Sequence, residues 1–359
     1  MSRSGIAETR AGGADAVMPD PGRARLGARR SRRFGGLLAL VALLLVSCVL
    51  SVAIGAKTIP LDAVWNALVA PGGSEDDIIV GQLRIPRTGV GAVAGASLGL
   101  AGALMQGHTR NPIADPGVLG ITQGAALAVV LSVYAFGITS LYASVWFAFA
   151  GALLGALAVF AIGSVGRAGA TPVTLALAGT AISFLLQSVT SAIVLFDQQS
   201  LNAYRFWKVG SVAVTDSAAI LQVLPFLAVG IVLALANAPG LNALSLGEDV
   251  ARSLGHRVRL SRQLGIAAIA VLVGGAVALC GPIGFVGLVV PHVARTITGA
   301  DYRWLLPFAA LLGACLVLLA DVLGRVVARP SEVQVGVMLA MVGAPFFIGL
   351  VRRRKLVRL

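Results

Sequence analysis

The sequence predicts an all-α, polytopic membrane protein of about ten transmembrane helices, and three of its features predict it. Hydrophobic residues fill 57% of its 359 positions and charged residues only 12%, outside the range of a water-soluble domain. Apolar runs of roughly 20 residues, the helix length that crosses a hydrocarbon core about 30 Å thick, recur from one end of the chain to the other. Between these runs, lysine and arginine gather in alternate connecting segments rather than evenly.

Residues 1–34 are rich in Gly, Ala and Arg without an apolar period, and predict a disordered basic tail. SRRFGG at 31–36 stands ahead of an apolar run as a twin-arginine export signal would, but the run has the length of a full span and further spans follow it. Spans are expected at 35–54, 88–107, 117–137, 141–163, 171–195, 217–237, 264–281, 283–298, 304–324 and 335–351, so that 35–351 forms one transmembrane domain. A basic terminus, 352–359, follows.

With the N-terminus inside, 21 of the 28 basic residues fall on the cytoplasmic side, which also puts the C-terminus there. The net charge of +13 is then a topological bias with attraction to anionic lipid, and nucleic acid is not expected as a partner. Cys48, Cys280 and Cys315 lie in or at the ends of apolar runs, too far apart for a metal pattern, and read as small buried residues.

Gly91, Gly95, Gly99, Ala103 and Gly107 repeat every four residues along the second span, which flattens one helical face for close backbone approach. Gly151 and Gly155 repeat the device in the fourth span. GASLG at 95–99 also matches the G-x-S-x-G elbow of serine hydrolases, which would pair Ser97 with His292 in an intramembrane protease. That elbow needs a strand before its turn, and this one lies inside an apolar helix, so glycine packing is the better reading.

A proton-coupled carrier needs ionisable groups inside the membrane, and the fifteen carboxylates all fall in the tail, in loops or, like Asp321, at a span end. A single-chain ATP-driven pump needs a phosphate loop ending in Gly-Lys. Lys57, Lys208 and Lys355 are instead preceded by Ala56, Trp207 and Arg354. Uphill transport would therefore take its ATP from another polypeptide.

The loop LNALSLGEDVARSLGHRV at 241–258 predicts a short surface helix. Ser245 and Glu248 have capping-box spacing, Glu248 and Asp249 suit the helix N-terminus, and Gly255 closes the end after Leu254. Val250, Ala251 and Leu254 form an apolar stripe for the groove of a soluble partner, or for the protein's own surface. In RNPIADPGVLG at 110–120, Asn111 and Pro112 stop the second span, and Asp115 with Pro116 is an N-cap with proline at the first helical position, so the third span is expected to start there. GPIGFVGLVVPHVAR at 281–295 predicts a chain break at Gly281, Pro282 and Gly284 and a kink at Pro291. His292 lacks a second ligand at metal spacing and predicts a helix-end hydrogen bond.

Taken in order, LRIPR (83–87), GASLGLAGALMQGHTRNPIADPGVLG (95–120), LAGTAIS (177–183), GEDVARSLG (247–255), GPIGFVGLVVPHVAR (281–295), DVLGR (321–325) and VGAPFFI (342–348) resemble the FecCD-type permeases, the membrane subunits of ABC importers for ferric siderophores, haem and vitamin B12. The resemblance covers about 35–350 and implies a type II importer permease with ten helices, no catalytic residue, no metal and no cofactor of its own. It implies a second permease subunit, two ATP-binding subunits and an external substrate-binding protein as partners, beside the lipid bilayer, in a bacterial cytoplasmic membrane.

The resemblance assigns the coupling loop (about 241–262) to ATPase contact, through Gly247, Glu248, Asp249, Ala251, Arg252, Leu254 and Gly255. It assigns Arg84, Arg87 and Arg325 to docking of the binding protein, and places Gln106, Asn111, Pro112, Asp115 and Pro116 by the inner mouth of the pathway. One departure stands out: Gln334 replaces the proline usual before the Val-Gly of the last span, so helix initiation after Glu332 is expected to differ, with Glu332 near Arg329 or the binding protein. The expected cargo is a ferric siderophore, with haem or cobalamin as the nearest alternative. A secondary carrier and the Ser97 protease are the rivals from other classes.

Overall fold

A computed structural model describes residues 21–165, 171–214 and 216–352, and every regular element among them is helical. In chain order, α1 (Pro21–Ala53) is followed by the short α2 (Leu61–Val69) and α3 (Glu75–Ile78), a π-helical turn (Ile79–Arg84) and α4 (Ile85–Thr109). A 3₁₀ turn (Pro116–Leu119) leads into α5 (Ile121–Phe136), α6 (Leu141–Gly163), α7 (Pro172–Phe196), α8 (Gln198–Val209) and α9 (Ser217–Ala236). Two short helices, α10 (Ala238–Ser245) and α11 (Glu248–Ser253), precede α12 (Val258–Cys280), α13 (Val286–Thr298), α14 (Tyr302–Val327) and α15 (Val335–Arg352). Among the described residues 7 helical stretches are long and apolar enough to cross a membrane, and α5, α13 and α15 are shorter apolar helices. These are the runs read from the sequence.

Span boundaries move for physical reasons. The expected disordered tail gives way to helix at Pro21, because proline suits the first helical turn and the Arg and Ala residues after it are good helix formers. The helix is then held near its middle. Arg33 Nη2 donates to the Thr298 carbonyl (2.7 Å), the Arg33 guanidinium lies 3.6 Å from Asp301, and Phe34 meets Trp304 edge-on. Residues 1–20 of the tail, Arg167 and the terminal 353–359 lie outside the described residues. The seventh span likewise starts early, at Val258, since a water-facing turn with Arg259 and Arg262 needs no hydrophobicity to be helical.

The bundle is built around α4. Hydrocarbon gives helices no hydrophobic reason to associate, so close van der Waals packing must hold them. A Cβ on Gly95, Gly99 or Gly102 would run into the carbonyl of Gly313, Ala309 or Gly287, so α4 presses its backbone against α14 and α13. On the other side of the bundle, Gly124 of α5 meets Gly151 and Gly155 of α6 in the same way. Leu100, Leu104, Ile269, Leu272 and Leu305 belong to one buried cluster, and Leu318 is buried against Gly91 of α4.

The break after α12 is real and its position is set by glycine. Gly281 has φ +68°, and a side chain there would meet the Trp207 carbonyl. Pro282 follows, Gly284 faces open space, and Phe285 caps α13 in the left-handed region at φ +67°. Pro291 sits inside α13 without ending it.

Candidate functional site

At one end of the bundle, α9 passes into a platform formed by α10. Asn237 donates through Nδ2 to the Ser261 carbonyl (3.0 Å) and lies 3.0 Å from His108 Nε2, while Ser261 Oγ donates to Asn237 Oδ1 (2.6 Å). Asn242 accepts from the Tyr302 amide and donates to Asp301, both at 2.8 Å, and Arg110 donates to the Leu244 carbonyl (2.7 Å). These bonds fasten α10 to α4, α12 and α14.

The helix α11 stands on this platform between two glycines in the positive-φ region, Gly247 (+115°) and Gly255 (+78°). Its end is a Schellman turn, with Gly255 N–H donating to Arg252 O (2.9 Å) and His256 N–H to Ala251 O (3.0 Å). Glu248 accepts from Arg252 (3.1 Å) and is ion-paired with Arg262 of α12, and Arg252 also reaches Asp249 (3.3 Å). The expected capping box is not formed. Ser245 ends α10 and its hydroxyl turns back to the Asn242 carbonyl (2.7 Å), so Gly247 takes the N-cap position. The apolar stripe also divides. Ala251 is fully buried against Ala243, Leu244 and Val258, whereas Val250 (45% exposed), Leu254 (62%) and Leu246 face outward beside Asp249 and Arg252. The result is an exposed apolar knob flanked by Asp249 and Arg252 on a base bonded to three spans.

At the opposite end, two of the three arginines expected on the docking surface, Arg84 and Arg325, are internal, and Arg87 is half-buried. Arg84 is 4% exposed and donates to the carbonyls of Val52 (2.9 Å), Ala53 (2.7 Å) and Lys57 (2.6 Å), closing the C-terminus of α1. Arg325, 1% exposed, donates to Ser51 O (2.9 Å) and Ser51 Oγ (3.1 Å) and pairs with Asp321 (3.1 Å). Arg87 binds Asp321 through Nε (3.0 Å) and Nη2 (2.8 Å), and Glu332 through Nη1 (2.7 Å). Neither Arg84 nor Arg325 is a surface charge: both are buried and donate to carbonyls at the end of α1. What remains open is a recess of about 300 Å³ lined by Lys57, Arg84, Arg87, Arg325 and Glu332. Lys57 at its rim pairs with Asp76 (2.9 Å) and Glu75 (3.0 Å), and those bonds push its pKa up.

Glu332 therefore faces Arg87 and not Arg329, which donates to the Gly55 carbonyl (3.0 Å). The Gln334 carbonyl accepts from Val337 N–H (3.0 Å) and Met338 N–H (3.2 Å), and α15 begins at Val335 as expected.

The segment 110–120 bends the chain between α4 and α5. Arg110 closes α4 at φ +49°, and Asn111 Oδ1 accepts from Ile113 N–H (3.1 Å). Asp115 caps as expected, accepting from Gly117 N–H (2.8 Å), and burial pushes its carboxyl pKa up against the effect of that bond. The element it opens is only the 3₁₀ turn. Gly120 at φ +72° redirects the chain, and α5 starts at Ile121. Pro116 packs on Gly287 of α13. Gln106 is fully buried and does not line a mouth. It donates to Leu288 O (3.2 Å) and accepts from Arg295 (3.2 Å), tying α4 to α13.

Ser97 Oγ lies buried in the middle of α4 and makes no hydrogen bond among the described residues. His292 is buried and its Nδ1 has no partner, so the expected helix-end bond is not made by that atom. Cys280 and Cys315 are buried, Cys48 is half-buried, and all three are free thiols. A cavity of about 640 Å³ lies between α5, α8 and α15, lined by Thr122, Gln123, Tyr204, Trp207, Lys208 and Met341 among others, with no carboxylate in its wall. The helix α8, absent from the sequence reading, shapes it. Its signal was Asp197, whose carboxylate accepts from Ser200 N–H (2.7 Å) at the helix start; hydrogen bonding from Ser200, through its side chain and then its backbone, holds the carboxyl pKa below the usual range.

The profile of the FecCD transport family matches residues 43–353. The chain is 45% identical over 316 residues to the ferric enterobactin transport system permease protein FepD of Escherichia coli (strain K12), covering 88% of this chain and 94% of that one. It is 37% identical to the hemin transport system permease protein HmuU of Yersinia pestis, over 88% of this chain and 95% of the other. It is 39% identical to the cobalamin import system permease protein BtuC of Halobacterium salinarum, over 77% and 74%. Among solved structures it superposes on an inward-facing conformation of a transporter assigned to the metal-chelate ABC type, with a TM-score of 0.77, 30% identity and coverage of 88% of this chain and 98% of that chain.

Proposed function

The chain belongs to the FecCD transport family, and from that premise we propose that it is the membrane permease of a binding-protein-dependent ABC importer whose cargo is a ferric siderophore. It is a multi-pass membrane protein, and both termini face the cytoplasm in this reading. It works as a dimer of permeases above two ATP-binding subunits, and an external binding protein delivers the cargo. Hydrolysis takes place in the ATP-binding subunits, so this chain is not itself an enzyme.

The observation that carries the reading is the α11 knob. A surface element that exposes Val250 and Leu254, buries Ala251 and is fastened through α10 to α4, α12 and α14 is built to convert a partner's closure into movement of the spans. ATP-driven closure of the partner pulls on α11 and α10, and the spans beside the α5, α8 and α15 cavity shift between inward and outward access. Asp249, Arg252 and Leu254 are the contact residues, with Glu248, Ala251, Gly247 and Gly255 holding the shape. The cavity wall is largely apolar with Tyr204, Trp207 and Lys208 at hand, which suits a large chelate that must be released as readily as it is admitted.

At the other end, Arg87 and the recess beside it form the docking point for an acidic group of the binding protein, while Arg84 and Arg325 support it from inside. Siderophore cargo is favoured over haem or cobalamin by the 45% identity to the ferric enterobactin permease against 37% and 39% to the haem and cobalamin permeases. Direct measurement of the ligand bound by the cognate external protein tests this. A ferric catecholate or hydroxamate supports it, and tight binding of haem or cobalamin with no siderophore binding overturns it.

A further inference from the structure

The coupling end carries a second feature that the transport reading leaves unused. A cavity of about 790 Å³ opens between the end of α6 and the start of α12, and its wall includes Arg252, Arg257, Arg259 and Arg262 with Glu248 as its one carboxylate. Glu248 serves Arg252 and Arg262. Arg257 and Arg259 are exposed and have no carboxylate partner among the described residues. The amino end of α12 adds its own partial positive charge to the same space. Four guanidiniums set against Glu248 in the wall and Asp249 beside Arg252 leave an excess of positive charge, carried by Arg257 and Arg259, that calls for an anion.

Directly along the bundle, a smaller groove of about 220 Å³ continues the cavity. Phe160 and Gln263 line both, and the rest of the groove is Leu153, Ala156, Leu157, Ile266, Ala267 and Ala270 on the facing sides of α6 and α12. The groove lies at the depth of two membrane-crossing helices and has no charged residue in its wall. A cationic chamber at the water boundary joined to an apolar groove within the hydrocarbon has the form of one molecule, an anionic head on a hydrocarbon tail.

We propose that the α6–α12 cleft binds one anionic phospholipid, with its phosphodiester among Arg257, Arg259 and Arg262 and part of an acyl chain against Phe160, Leu157 and Ala267. The lipid sits beside α11, so it would brace the base of the coupling knob through Glu248 and Arg262. Free phosphate could satisfy the arginines but has no use for the groove, and a soluble acidic partner could reach the arginines but not the depth of Ala267.

The test is lipid retention by the full-length chain in nanodiscs of equal phosphatidylcholine and phosphatidylglycerol, purified into mild detergent and analysed by native mass spectrometry. Wild type should retain phosphatidylglycerol in preference. Arg257→Gln with Arg259→Gln should lower that retention roughly tenfold or more, as expected for two basic contacts at a membrane surface. Arg257→Lys with Arg259→Lys should keep it, which separates charge loss from misfolding. Ala267→Trp, which fills the groove, should lower retention with all arginines present. Equal retention of both lipids, retention unaffected by the glutamine pair or by Ala267→Trp, or complete displacement by inorganic phosphate would overturn the proposal. So would a glutamine pair that keeps its lipid but loses a bound ATPase subunit.

Discussion

Arg87 of α4 holds Asp321 of α14 by two parallel hydrogen bonds, Nε to Oδ2 at 3.0 Å and Nη2 to Oδ1 at 2.8 Å, across 234 positions of sequence. Asp321 is 1% exposed and also receives Arg325, so its charge is compensated from two sides. Arg87 spends its remaining Nη1 on Glu332, which is far more exposed. The pair thus links a buried lock to a surface-facing acid.

Arg87→Ala should destabilise the chain by about 3 kcal/mol, because it strips Asp321 of its bidentate partner in a buried place. Glu332→Gln should cost less than about 1 kcal/mol, as for an exposed ion pair. Thermal unfolding of the two variants in the same detergent checks the ordering. Equal losses would mean that Asp321 does not depend on Arg87.

Gly102 and Gly89 lie on the same helix with opposite surroundings. A Cβ at Gly102 would meet the Gly287 carbonyl, whereas one at Gly89 meets nothing within 4 Å. Gly102→Ala should therefore cost about 1–3 kcal/mol through overpacking. Gly89→Ala should be neutral or gain up to about 1 kcal/mol from helix propensity. Expression and unfolding temperature of the pair measure the difference, and a tolerated Gly102→Ala would mean that α4 and α13 are not in backbone contact.

Leu254→Asp places a charge on the exposed face of α11 without touching the buried Ala251. The permease should fold and insert normally while transport in the assembled importer falls at least tenfold, as expected when a central apolar anchor of an interface is lost. Glu248→Lys should have a comparable effect by breaking the ties to Arg252 and Arg262, and ATP hydrolysis should then continue without uptake. Uptake at the wild-type rate with normal complex assembly would remove α11 from the coupling route.

Asp115 caps the 3₁₀ turn from a position where burial disfavours its charge. Asparagine offers the same acceptor without the charge. Asp115→Asn should be nearly neutral, and Asp115→Ala should cost about 1 kcal/mol. Unfolding measurements on both variants test whether the cap or the charge matters.

The spans were legible because a bilayer demands long apolar runs, and the glycines of α4 were legible because their four-residue spacing has one packing consequence. The position of α11 could be read from its acidic start and its glycines. Its neighbours could not, since the burial of Ala251 depends on Ala243, Leu244 and Val258 folding back beneath it. Arg84 and Arg325 were misread as surface charges for a similar reason. Sequence places them at span ends, but only the fold shows that the carbonyls of Ser51, Val52 and Ala53 end beside them. The resemblance places Gln106 by the inner mouth, and it is buried because α13 passes its backbone alongside. The helix α8 was missed because it is amphipathic, too short to span, and announced by a single capping aspartate.

Transport by purified components in sealed vesicles tests the central claim most directly, that this chain is a passage operated by a separate ATPase. With the cognate ATP-binding subunits, the loaded binding protein and ATP, cargo should accumulate against its gradient, and leaving out either the subunits or the ATP should abolish accumulation. Concentrative uptake by this chain alone, driven by a proton gradient or by no added energy source, would contradict the account.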